Sequence, residues 1–175
     1  MTQVKALPAS RQAAYSRVNL VESLLSHGDE THQPIIWLSV ESAADLLRDG
    51  MNQAEVLQDD RAKAFSLGEL SKVYGYTQQW PESQALAQRA LSFSRGDNAQ
   101  DMAYRWQQQL GKAYHQQGKD VEAIASYTAA VESLGSVRRD LLATNADVQY
   151  SFRETVEPVY RELVSLLLLP EDVSQ

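Results

Sequence analysis

Apolar residues recur along this chain at intervals of three and four, and no stretch sustains the two-residue alternation of a half-buried strand. The pattern predicts an all-α fold, cut into segments by glycine, proline and short polar runs. Ala14, Val18, Val21, Leu24 and Leu25 line one side of a first segment from about Arg11 to Ser26, with His27-Gly28-Asp29 expected as its stop. Pro34 needs no N–H in a first helical turn, so it is expected to open a second segment through Ile35, Leu38, Ala43, Leu46 and Leu47 to a terminating Gly50. After a polar connection from Met51 to Asp60, a third segment runs from Arg61 through Leu67, Leu70, Val73 and Tyr74. A fourth starts near Trp80-Pro81-Glu82 and carries Leu86, Ala90, Leu91 and Phe93 before Gly96. The fifth covers Ala99 to Gln117 and ends at Gly118; the sixth covers Val121 to Leu134 and ends at Gly135. Val148, Phe152, Val156, Tyr160, Leu163 and Leu167 form the last pattern, inside which Pro158 predicts a kink or a fresh start. One domain over 11–169 is expected, with hairpins at about 11–50, 61–96 and 99–135, a terminal element at 148–169, and flexible ends at 1–10 and 170–175.

Composition sets the classes aside that such a chain does not serve. With 43% hydrophobic and 22% charged residues over 175 positions, there is apolar material enough for one folded unit. The 16 Lys and Arg against 23 Asp and Glu leave a net charge of -7, which gives no general attraction to nucleic acid or to an anionic membrane. The absence of cysteine excludes a disulfide framework, a thiolate nucleophile and cysteine-ligated metal, and the expected compartment is the cytoplasm. The opening residues lack an apolar core of signal-peptide length, and the longest purely apolar run, Leu166 to Pro170, is far too short to span a membrane.

The clearest internal signal is Leu110-Gly111-x-x-Tyr114, followed by Gly118, Ala123, Tyr127 and Ala130. It resembles the tetratricopeptide repeat, in which large residues on two helices are separated by small ones where the helices cross. Gly111 and Ala123 are expected to let two antiparallel backbones approach, Tyr114 and Tyr127 to fill the space around that contact, and Ala130 to admit the next helix. Gly118 suits the turn, since it adopts a conformation that a side chain resists. Trp106 stands one position before the place where the pattern has its aromatic, which Gln107 occupies. An elongated earlier copy runs through Leu67-Gly68, Gly75, Trp80, Ser83, Ala87 and Ala90-Leu91, and the hairpin from Ala14 to Gly50 is a degenerate third. The resemblance implies antiparallel hairpins stacked as a short right-handed α-solenoid.

A finer resemblance follows the repeats. Arg138-Arg139-Asp140-Leu141, and then Asn145-Ala146-Asp147-Val148-Gln149-Tyr150-Ser151-Phe152-Arg153-Glu154-Thr155-Val156-Glu157-Pro158-Val159-Tyr160-Arg161-Glu162-Leu163, are similar to the junction of cyanobacterial CHAT-domain proteins, where tetratricopeptide repeats precede a caspase-like domain. The phrase includes polar residues that helix formation alone does not require. What it implies is a regulatory or binding region, expected to belong to a longer protein, and no protease activity here.

Stacked repeats expose a groove lined mainly by the first helix of each pair. Phe65, Glu69, Lys72, Arg105, Gln108, Lys112, His115 and Gln116 stand at offsets that resemble the family's ligand-facing positions. Their amides and mixed charges suit hydrogen bonding to an extended peptide or another helix, with Phe65 supplying apolar contact. The competing expectation is an ordinary solvated face.

No other constellation assembles. His27, His32 and His115 form no close helical pair and no zinc motif, and Asp59-Asp60 lacks the ligand spacing and glycine turn of a calcium loop, so no cofactor or metal is expected. Glu154 and Glu157 share a helix side and keep a carboxylate-dependent hydrolase open, against plain salt bridging with Arg153 or Arg161. The glycines occur singly and form no phosphate-binding nest. Trp37, Trp80, Trp106, Tyr114, Tyr127 and Tyr160 are expected in the core. A single helix cannot turn four consecutive leucines inward, so part of Leu166 to Leu169 is expected at a seam with an adjoining domain or a second copy. The function expected is a non-catalytic scaffold whose partner is a protein or peptide; a purely structural self-association module is the third possibility.

Overall fold

The computed structural model describes residues 10–31, 40–95, 100–142 and 148–168. Among them are seven α-helices, one 3-10 turn at Gln100–Met102, and no strand. The helices are α1 Arg11–Thr31, α2 Val40–Val56, α3 Asp60–Tyr76, α4 Trp80–Phe93, α5 Ala103–His115, α6 Asp120–Leu142 and α7 Val148–Leu167. Each packs chiefly against its neighbours in sequence, and α1 meets α3 and α3 meets α5 as a second tier of contact.

Local chemistry explains the starts. The Ala13 N–H donates to Ser10 Oγ at 3.1 Å ahead of α1. Asp59 caps α3 by accepting from the Ala62 N–H at 3.0 Å, so this residue, read from sequence as part of a polar linker, is a buried cap. Pro81 sits in the first turn of α4, where a missing N–H costs nothing.

The stops differ from the expectation. Gly28, Gly50 and Gly135 lie inside α1, α2 and α6 rather than at their ends. Glycine ends a helix when the chain there turns left-handed, and among the described residues that conformation belongs to Gln58 at φ 51°, Gln78 at φ 59° and Gly118 at φ 71°. Each is followed by an N–H that reaches five residues back: Asp59 to the Ala54 carbonyl at 2.9 Å, Gln79 to Tyr74 at 3.0 Å and Lys119 to Tyr114 at 3.0 Å. Gly50 instead serves close packing, because a Cβ there would stand 3.2 Å from Ser66 Oγ on α3. The expected linker from Met51 to Asp60 accordingly shrinks to Leu57, Gln58 and Asp59. Helix α7 continues through Pro158 without a new start. The expected opening at Pro34, with Ile35, Trp37 and Leu38, lies outside the described residues, as do His32, Gly96, Ala99, Leu169, 1–9 and 170–175.

Two apolar clusters form the core. The first joins Val18 and Val21 of α1, Leu46 and Leu47 of α2, Phe65, Leu67, Leu70 and Val73 of α3, Ala90 of α4, and Met102 and Trp106. The second joins Ala123, Tyr127, Ala130 and Leu134 of α6 to Val159 and Leu166 of α7, with Tyr104 and Tyr114 of α5 packed against it. The repeat-packing residues Leu67, Gly68, Ala90, Leu110, Gly111, Ala123, Tyr127 and Ala130 are buried, Tyr114 is half-buried, and Gly118 is exposed in its turn.

The Leu-Gly pairs work differently from the backbone approach expected of them. A Cβ on Gly68 would stand 2.2–2.3 Å from three atoms of the six-membered ring of Trp106, and one on Gly111 would stand 2.7 Å from the Tyr127 ring. Both glycines make room for an aromatic ring. Trp106, fully buried, comes from α5 and thereby ties one hairpin to the next. A polar tie runs beside it: Gln109 Nε2 donates to Ser83 Oγ at 3.1 Å and to the Ser71 carbonyl at 3.4 Å, while the Ser71 hydroxyl donates to the Ser83 carbonyl at 2.7 Å.

Candidate functional site

Because α1 and α5 both pack on α3, residues far apart in sequence converge on one face. Tyr15, Phe65 and Trp106 make an aromatic ladder across these helices, with ring centroids 6.5 Å apart for the first pair and 6.2 Å for the second. Beside it lies a cleft of about 200 Å³ lined by Tyr15, Arg61, Phe65, Asp101, Met102, Tyr104 and Arg105. That volume suits one side chain rather than a whole ligand.

Two ion pairs frame the cleft. Arg61 forks onto Asp101 with distances of 2.5 and 2.8 Å. The Arg61 hydrogen bonds hold the Asp101 carboxyl below its ordinary range. Arg105 Nη2 donates to Glu22 Oε1 at 2.6 Å, joining α5 to α1, and the guanidinium carbon lies 5.6 Å from the centre of the Phe65 ring. Burial works against the Arg105 charge, but Glu22, Tyr104 and Glu69 more than offset it and leave the pKa above the usual value. Burial raises the Tyr104 phenol and, together with Asp59, that of Tyr15.

The residues expected to face a ligand divide into three groups. Phe65 and Glu69, expected to point outward, are buried at 8% and 0% exposure. The reason is local: α3 is covered by α1, α2, α4 and α5, and most of its residues are buried. Lys72, Arg105 and Gln108 are half-buried and engaged within the molecule. Lys72 Nζ donates to Glu69 Oε1 at 2.6 Å and lies 5.8 Å from the Trp106 ring centre, while Gln108 Nε2 donates to Glu162 on α7 at 3.2 Å. Lys112, His115 and Gln116 are exposed, and His115 Nδ1 stands 2.7 Å from an Asp120 oxygen.

Sequence reading missed Tyr15, Glu22, Arg61, Asp101 and Tyr104. The partners of Tyr15, Glu22, Arg61 and Asp101 lie tens of positions away, beyond any periodic signal. On α7 the sequence reading weighed Glu154 and Glu157. Glu157 is exposed, the side chains of Glu154, Arg153, Arg138, Arg139 and His27 lie outside the described residues, and Glu162 meets α5 through Gln108. Glu162 hydrogen-bonds Tyr127 as well as Gln108; burial and then this carboxylate push the Tyr127 phenol well above its ordinary pKa.

The leucine run splits as its register demands: Leu166 is buried, and Leu167 and Leu168 are exposed at 58% and 75%. With Tyr160 and Val164 they form an exposed apolar stripe along α7, beside the face of Val159 and Leu166 that packs on α6. Among the described residues no group of three metal-ligating side chains occurs, and no helix is long and apolar enough to cross a membrane. No protein-family model matches the chain, and no curated protein matches it.

Proposed function

We propose that this chain is a non-catalytic protein-interaction scaffold of tetratricopeptide-repeat type, a short right-handed solenoid that takes a peptide or protein segment along the face of α1, α3 and α5. The observation that carries this is the convergence of three alternating helices on one cleft with aromatic walls and a charged rim. A cleft for one side chain, continued by the exposed Lys112, His115 and Gln116, suits a segment anchored at one residue and hydrogen-bonded beyond it. The resemblance of the α6 to α7 region to CHAT-type proteins supports reading it as a regulatory region of a larger protein, and the cysteine-free composition suits the cytoplasm. In that setting, the stripe of Tyr160, Val164, Leu167 and Leu168 is the seam for an adjoining domain.

Site-specific photocrosslinking tests the groove. A photoreactive residue at Lys112 or Gln116 is expected to capture a discrete protein from parent-cell lysate, whereas one at exposed Glu122 on α6 is expected to capture none. Equal capture from both positions overturns the groove. The exposed stripe favours a second reading, self-association, which a mass that rises with concentration in light scattering supports and a constant monomer mass removes.

A further inference from the structure

We propose that the Glu22–Arg105 ion pair is a latch that holds α1 and α5 together over Phe65 and must open before a segment can reach that ring. This rests on the groove reading above and concerns its regulation. Glu22 and Arg105 are 83 positions apart in sequence and belong to helices that are not neighbours in the chain, so their 2.6 Å contact closes a span that α3 occupies from beneath. Phe65 of α3 carries the Arg105 guanidinium on its face and is only 8% exposed, yet it lines the cleft. The side chain best suited to apolar recognition on this face is therefore capped by a charge that is itself tied down. The tie is releasable. Both partners keep about a quarter to a third of their surface in water, at 25% for Glu22 and 29% for Arg105, so water can solvate both charges when the contact opens. The stacked guanidinium and the Arg61–Asp101 fork next to it keep the latch aligned while it is shut.

The chain has no cysteine, so a spin-label pair can be placed without a competing thiol. With labels on Asn19→Cys of α1 and Lys112→Cys of α5, both exposed positions, pulsed dipolar spectroscopy reads the separation of the two helices with no ligand present. The otherwise native chain is expected to give one narrow distance distribution. Glu22→Gln, an isosteric loss of charge, is expected to broaden it and lengthen its mean by several ångströms, and Arg105→Gln to do the same. Should Glu22→Gln fail to melt cooperatively, Glu22→Asp, which withdraws the carboxylate by one methylene, is read in its place and is expected to move in the same direction. A folded variant whose distribution matches the native one overturns the latch. Because no partner enters this measurement, it separates the latch from the groove: crosslinking from Lys112 fails or succeeds independently of it.

Discussion

Leu67-Gly68 and Leu110-Gly111 are the same two residues at the same place in two helical hairpins, and they hold different neighbours. Gly68 on α3 receives the Trp106 ring from the next hairpin, whereas Gly111 on α5 receives the Tyr127 ring from its own hairpin partner, α6. One pair joins hairpins and the other closes one. A small residue in a helical hairpin thus specifies a hole, and the surrounding helices decide which large side chain fills it.

Truncating the two rings separates these roles most strongly. Trp106→Ala is expected to cost about 3–5 kcal/mol, because a fully buried indole shared by α3 and α5 is lost, and urea unfolding followed by circular dichroism measures it. Tyr127→Ala is expected to cost less; an equal or larger cost would erase the distinction between joining and closing.

Filling the holes comes next. Gly68→Ala is expected to cost about 1–3 kcal/mol, since a rigid indole must leave its seat, and Gly111→Ala to fall at the lower end of that range. Combining Gly68→Ala with Trp106→Leu sharpens the assignment: the two costs should fail to add by about 0.5 kcal/mol or more, as expected of groups in direct contact.

The turns respond more weakly. Gln78→Gly is expected to stabilise the chain by about 1 kcal/mol, by relieving a side chain held at positive φ, and Gly118→Ala to destabilise it by a similar amount. Thermal melts read both, and the same sign for the two changes would show that these turns are not equivalent. Lys112→Ala, on an exposed position, is expected to leave stability within about 0.5 kcal/mol of the parent, so that any change in crosslinking reports on binding.

Helices were legible in the sequence because the apolar period is carried by many residues at once, so α4 was expected to start near Trp80-Pro81, where it does, although it closes at Phe93, short of the expected Gly96. Their ends were less so. Gly28, Gly50 and Gly135 look like stops, but a glycine ends a helix only where the backbone turns left-handed, and at two of the turns that conformation falls on Gln58 and Gln78, which carry no such signal. Among the candidate site residues, the offsets taken from the repeat resemblance included Phe65 and Arg105, which line the cleft, but carried no measure of cover. That cover comes from α1, through Tyr15 and Glu22, and a pairing across 83 positions leaves no local trace. Asp59 shows the converse: a pair of acids resembling solvated linker contains a buried cap, fixed by an N–H three residues ahead.

Helix α5 supplies Trp106 to one apolar cluster and Tyr104 and Tyr114 to the other. Neither cluster can dissolve without stripping a side of this 13-residue helix. Its central amides are therefore the last to exchange with solvent hydrogen, released only when the whole chain opens, while α7, which rests on a single neighbouring cluster, exchanges through smaller and earlier openings.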